Sequence, residues 1–162
     1  MSRWLSIDPG ERYWGVAVGA PDTGSIQPLT ILSTRDREQL TRNLRRVIED
    51  YNVTRLIFGI PLKQGRWGMT AERLFPLIQF VLHRLAIYEV YFCDETATNP
   101  FGHEKKRRDD LAAARLLSRA LHARALLIAP GDLGKIRKRW LKQRREAHQP
   151  KAGNPSSGKR PS

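Results

Sequence analysis

The 162-residue sequence predicts an α/β fold: a mixed five-stranded sheet, three antiparallel strands followed by two parallel ones, flanked by helices. Three observations lead there. Three short β-type runs joined by turn residues open the chain. Two continuous apolar runs of strand length then alternate with stretches of helical periodicity, the pattern of a layered sheet covered by helices. Finally, most of the excess charge lies past residue 134, so the body has the composition of an ordinary single domain and the end is a basic tail.

The elements follow in order. Trp4-Leu5-Ser6-Ile7 reads as a strand stopped by the turn tripeptide Asp8-Pro9-Gly10. Trp14-Gly15-Val16-Ala17-Val18 resumes β-type residues, Pro21, Asp22, Thr23 and Gly24 make a second turn, and residues 28–32 give a third strand. Leu40, Leu44, Val47, Ile48 and Tyr51 predict a helix over 36–51, with Ser33 or Thr34 as its cap. Residues 55–61, apolar on both faces, predict a strand covered on both sides, and 63–68 a basic glycine loop. Leu74, Ile78, Val81 and Leu85 place a second helix over 70–86, which Pro76 either opens or kinks. Val90-Tyr91-Phe92-Cys93 is a strand ending on Asp94-Glu95, and a third helix covers 109–125. Residues 126–129 add an apolar segment, Asp132 begins a short basic helix reaching 146, and the composition from 149 onward is that of disorder. The organisation predicted is one domain over 1–130, then a basic helix and disordered tail over 131–162.

Lys and Arg number 29 against 16 Asp and Glu, a net charge of +13 and a pI near 10.7. Ten of those bases and one acid lie from Lys135 to the end. Such a chain is drawn to polyanions, because each neutralised phosphate releases condensed counterions. No apolar run approaches 18 residues, so no membrane partner is expected. Asp8 arrives too early for a secretory leader, and the single Cys93 cannot make an internal disulfide. A cytoplasmic setting is the expectation.

Chemistry concentrates on acids at strand ends. Asp8 ends the first strand, Asp94 and Glu95 the last, and Asp109 and Asp110 open the third helix. Turn chemistry explains Asp8-Pro9-Gly10 as well, and the helix dipole explains Asp109 or Asp110. Adjacent acids closing a buried strand are poorly placed for packing, which favours function for Asp94-Glu95. Three carboxylates at one sheet edge repel by roughly 4 kcal/mol per pair at 4 Å and an effective dielectric of 20, so a cation must offset them. Hard oxygen donors suit Mg²⁺ or Mn²⁺. For nucleic-acid contact the candidates are Lys63, Arg66 and Trp67 in the glycine loop, the run Lys105-Lys106-Arg107-Arg108, and Lys135, Arg137, Lys138 and Arg139 in the tail. Trp67 either stacks on a base or plugs its own loop. Structured RNA or branched DNA is the expected partner, bound by a monomer or a homodimer.

Four ordered segments resemble one family. Ile7-Asp8-Pro9-Gly10 with Gly15-Val16-Ala17-Val18, then Phe58-Gly59-Ile60-Pro61-Leu62 with Gly65 and Gly68, then Asp94-Glu95, then Asp109-Asp110-Leu111-Ala112-Ala113 are similar to the motifs of the YqgF/RuvX family of ribonuclease H-like nucleases. The likeness runs over roughly residues 4–121, with Thr96 where the family carries Arg and a short loop over 99–108 where it carries a helix. The resemblance implies a ribonuclease H-like sheet and hydrolysis of phosphodiester bonds by two metal ions, in Holliday junctions or in rRNA precursors. It implies that Asp8 bridges both ions while Glu95 and Asp109 each hold one, with Asp94 an outer or substitute ligand. The alternative is a binding module of the same fold without catalysis.

Overall fold

A computed structural model describes residues 2–87, 89–95 and 109–149. The expected disorder from 149 onward falls, except for Gln149 itself, outside the described residues, as do Lys105, Lys106, Arg107 and Arg108. Strands β1 (Arg3–Pro9), β2 (Tyr13–Ala20) and β3 (Ser25–Ser33) form the antiparallel meander. Helix α1 (Arg37–Asp50), strand β4 (Val53–Ile60), helix α2 (Met69–Arg84) and strand β5 (Glu89–Asp94) follow. Helix α3 (Asp109–His122), a 3₁₀ turn at Arg124–Leu126 and helix α4 (Pro130–His148) complete it. The sheet order is β3-β2-β1-β4-β5, with β1–β4 and β4–β5 parallel. The mixed five-stranded sheet is therefore as the sequence predicts.

Strand alternation splits the core in two. Leu5, Ile7, Val16, Leu56 and Phe58 face a large cluster made with α1 and α2. Trp4, Ala17, Ile57 and Cys93 face a smaller one made with α3. On the α3 side β2 carries the small residues Gly15, Ala17 and Gly19, which lets the helix sit close. A Cβ on Gly19 would stand 2.9 Å from Leu117 Cδ2. The Ser6 hydroxyl donates to the Ala113 carbonyl at 2.5 Å, tying α3 to the central strand.

Several boundaries differ from expectation. Asp8 and Pro9 stay in β1, and the turn begins at Gly10, whose N–H donates to the Tyr13 carbonyl at 2.9 Å. A Cβ on Gly10 would lie 2.7 Å from that carbonyl, so a side chain has no room there. Asp36, not Ser33 or Thr34, caps α1, accepting from the N–H groups of Glu38 and Gln39. Ser33 is still in β3, and the Thr34 hydroxyl is used on the Glu11 carbonyl. Helix α2 starts at Met69 and continues through Pro76, so the proline lies inside it. Ile128, in the predicted apolar segment, exchanges backbone hydrogen bonds with Phe92 and covers the outer edge of β5.

Helix α4 starts at Pro130, two residues before the predicted Asp132, with proline in the first turn where its missing N–H costs nothing. Leu133 is 1% exposed in the main core, and Ile136 and Trp140 pack against it. The basic helix is thus part of the body. Among the described residues no helix is long and apolar enough to cross a membrane.

Candidate active site

Parallel strands present their carboxyl ends together, and β1, β4 and β5 do so here. The register pairs Ile7 with Phe58, so the next rung sets Asp8 beside Gly59, and Gly59 pairs with Cys93 of β5. Alternation sends Asp8, like Trp4 and Ser6, to the α3 face. Gly59 follows Ile57 to that face, and Glu95 follows Cys93. A Cβ on Gly59 would stand 3.4 Å from both Cβ and Cδ of Glu95 and 3.1 Å from Leu116 Cδ2. The Glu95 carboxyl therefore folds back over the middle strand, into space that Gly59 leaves empty, with Asp8 on the far side of that strand.

Helix α3 runs against β1. Ala113 meets Ser6, and Leu117 lies on Gly19, the partner of Trp4. Four residues of helix span about 6 Å and two residues of strand about 6.6 Å. One turn before Ala113, the backbone of Asp109 is consequently at about the level of Asp8. The side chain of Asp109 lies outside the described part of the structure. Among the described residues no group of three or more His, Cys, Asp or Glu gathers.

Asp94 goes elsewhere. Alternation turns it to the face opposite Glu95, where its Oδ1 accepts from the Leu62 N–H at 3.3 Å and secures the chain leaving β4. Of the adjacent acids, it is Glu95 that lies on the sheet face of Asp8. Beneath Glu95, Cys93 is 1% exposed, and burial pushes its thiol up against the opposing pull of the Arg119 guanidinium.

The glycine loop is a small hairpin. Lys63 and Arg66 exchange backbone hydrogen bonds at 3.0 and 2.9 Å. Between them Gln64 (φ 52°) and Gly65 (φ 74°) make the left-handed pair of a type I′ turn. Lys63 and Arg66 are exposed beside the chain leaving β4. Trp67 is not available to a base: it is 3% exposed, edge-on to Phe75 at 5.0 Å, and its Nε1 donates to Glu72 at 2.8 Å. Arg137 is likewise withdrawn from the nucleic-acid candidates. Its Nε and Nη2 donate to the two oxygens of Glu72 at 3.0 and 2.6 Å. That bidentate guanidinium, helped by Trp67, holds the Glu72 carboxyl below the usual range although burial opposes it. Lys135, Lys138 and Arg139 remain exposed on α4.

Sequence reasoning gave Gly59 no role, although a glycine inside an apolar strand signals a close approach to something. It also missed Glu72, whose partners lie 5 and 65 residues away.

The comparisons with known proteins bear on the family and the fold. A protein 30% identical over 113 residues, from Thermotoga maritima, is named "Putative pre-16S rRNA nuclease"; the match covers 70% of this chain and 46% of that one. A Clostridium botulinum protein of the same name is 27% identical over 137 residues, 84% of this chain and 99% of its own length. Among solved structures, Thermus thermophilus RuvC in complex with a Holliday junction substrate superposes with a TM-score of 0.53 at 14% identity, covering 77% of this chain and 96% of that one. Thermus thermophilus RuvC in a further structure gives 0.51 at 16%, covering 78% and 98%. At such identities the likeness is one of fold. The family described as RuvX, Holliday junction resolvase, matches residues 2–123, which takes in β1 through α3. The chain belongs to the RuvX family.

Proposed function

We propose that this protein is a metal-dependent nuclease that hydrolyses phosphodiester bonds in structured nucleic acid. The observation that carries the reading is the Glu95 carboxyl lying over Gly59 beside Asp8. Carboxylates on the two sides of one side-chain-free strand position fit a divalent cation, because both offer the hard oxygen donors that Mg²⁺ or Mn²⁺ prefers. Asp8, Glu95 and Asp109 would hold Mg²⁺ or Mn²⁺. When bound, such ions lower the pKa of an attacking water and stabilise charge on the departing 3′ oxygen.

The remaining work belongs to the chain. Gly59 keeps the space between the carboxylates open, and the Ser6 bond to Ala113 holds α3 in its place along β1. Lys63 and Arg66, exposed in the hairpin turn that follows β4, would hold a phosphate of the substrate. Lys105, Lys106, Arg107 and Arg108 immediately precede Asp109 in the sequence and add cations next to it. The names of the relatives favour an rRNA precursor as substrate, and the family description favours a four-way DNA junction.

Both substrates belong in one experiment: Mn²⁺-dependent cleavage of a labelled junction and a labelled rRNA precursor, with Asp8→Asn beside the unaltered protein. The substitution should abolish cleavage while the protein stays folded, as read by circular dichroism. An Asp8→Asn protein that cuts at the unaltered rate would refute the assignment. Calorimetric titration with Mn²⁺ separates a nuclease from an inactive binding module, which would take up little or no metal.

A further inference from the structure

Helix α4 (Pro130–His148) lies beyond residue 123, where the family match ends, so its role does not come with the family. Its faces are sharply divided. One carries Leu133, Ile136 and Trp140 into the main core, with Arg137 bound to Glu72 and Arg144 Nη1 3.1 Å from Met69 Sδ. The other presents Lys135, Lys138, Arg139, Lys142 and Arg145, all exposed and within about 120° of one another around the helix. Two acids border that stripe: Asp132, 3.9 Å from Lys135, and exposed Glu146.

Met69 and Glu72 open α2 at the carboxyl end of β4, the end that carries Asp8, Gly59 and Glu95. Glu72 also receives Trp67 from the hairpin loop. One carboxylate therefore joins the loop of Lys63 and Arg66 to α4, and the helix is held in a definite position relative to the acid pair.

We propose that the outward stripe of α4 is a docking track for the phosphate backbone of double-helical nucleic acid, the substrate of the nuclease reading above, on which the identity of the bound duplex rests. From Lys135 to Arg145 the stripe covers about 15 Å. A duplex presents one phosphate charge per about 1.7 Å of axis, so about nine phosphates pass along that length, and five cations match those on the near side. An anionic bilayer is a poorer match. Surface-lying helices insert an apolar face, and the apolar face of α4 is already used by the core. Because the cations meet phosphates only, this binding carries no sequence preference.

The test is fluorescence anisotropy of a labelled RNA duplex against salt, in EDTA, with the full-length protein. The variant combines Lys138→Gln, Arg139→Gln and Lys142→Gln, three exposed side chains whose loss should leave the melting temperature unchanged. The slope of log affinity against log salt should fall by about three, roughly one per cation removed. Between 50 and 200 mM salt, the loss of affinity should then be roughly 40-fold smaller than in the unaltered protein. Lys138→Arg with Lys142→Arg should retain the original slope. An unchanged slope in the triple variant overturns the proposal, and so does a variant that loses binding to phosphatidylserine vesicles while its RNA binding stays intact. Metal is absent throughout, so failure to cleave any substrate refutes the nuclease reading without touching this result.

Discussion

Gly59 shows how a residue without a side chain shapes a site. Its position between Asp8 and Glu95 sets what occupies the space between two carboxylates. Valine there would drive a methyl into Leu116 Cδ2 or Glu95 Cδ, which already stand 3.1 and 3.4 Å from a Cβ. Gly59→Val should cost about 1–3 kcal/mol of stability by overpacking and, by displacing Glu95, remove Mn²⁺-dependent cleavage. Gly59→Ala should lose less of both, and urea unfolding beside a cleavage assay would read the difference. Cys93 is buried on the same sheet face, 1% exposed. Only a thiolate reacts with disulfide reagents, and burial raises this thiol. Labelling should be negligible in the folded protein and should rise along the urea unfolding curve; rapid labelling under native conditions would show that β5 opens locally.

At the level of elements, the Glu72 carboxylate joins the hairpin loop, α2 and α4 through Trp67 and Arg137. Its folded pKa lies below its unfolded value. The stabilisation is therefore present in full above the unfolded carboxylate value, about 4.3, and is lost as pH falls through the lower folded value. The two side chains are 23% and 32% exposed, so solvent screens the pair and about 1–2 kcal/mol is at stake. Unfolding measured from about pH 6 to pH 3 should show the unaltered protein losing this increment, while Glu72→Gln, lacking it throughout, falls less steeply. Parallel acid limbs in the two proteins would remove Glu72 from the account. Of the adjacent acids closing β5, Asp94 serves an element rather than a site, since it fixes the first turn of chain after β4.

For the whole molecule the consequence is that α4 cannot be treated as an appendage. Cutting the chain before Lys135 removes Ile136 and Trp140 from the main core and leaves Glu72 without Arg137. We expect a loss of about 3 kcal/mol, a fall in melting temperature of roughly 6–12 °C for a chain of this size. A truncated protein that melts with the full-length one would show that the helix is accessory. The boundary expected at 130 falls where α4 begins, yet the packing runs across it.

Much of the fold was legible because its signals are local. Apolar runs in β4 and β5, turn residues between β1, β2 and β3, and the stripe of α2 each lie within a few residues of one another, and periodicity reads them directly. The acids at the strand ends were legible for the same reason. What needed tertiary structure was the choice between neighbours and between faces. Asp94 and Glu95 are equivalent as sequence, and only the covering of one sheet face by α3 separates them. Trp67 and Arg137 looked like ligands for nucleic acid until packing gave both to Glu72, across 5 and 65 residues. By itself the sequence determined which segments are strands and helices and that acids end them, since backbone preference and burial period are short-range. Which side chains meet at the edge of the sheet was decided only by the folded chain, because contacts across many residues depend on how helices settle on the sheet and not on any local pattern.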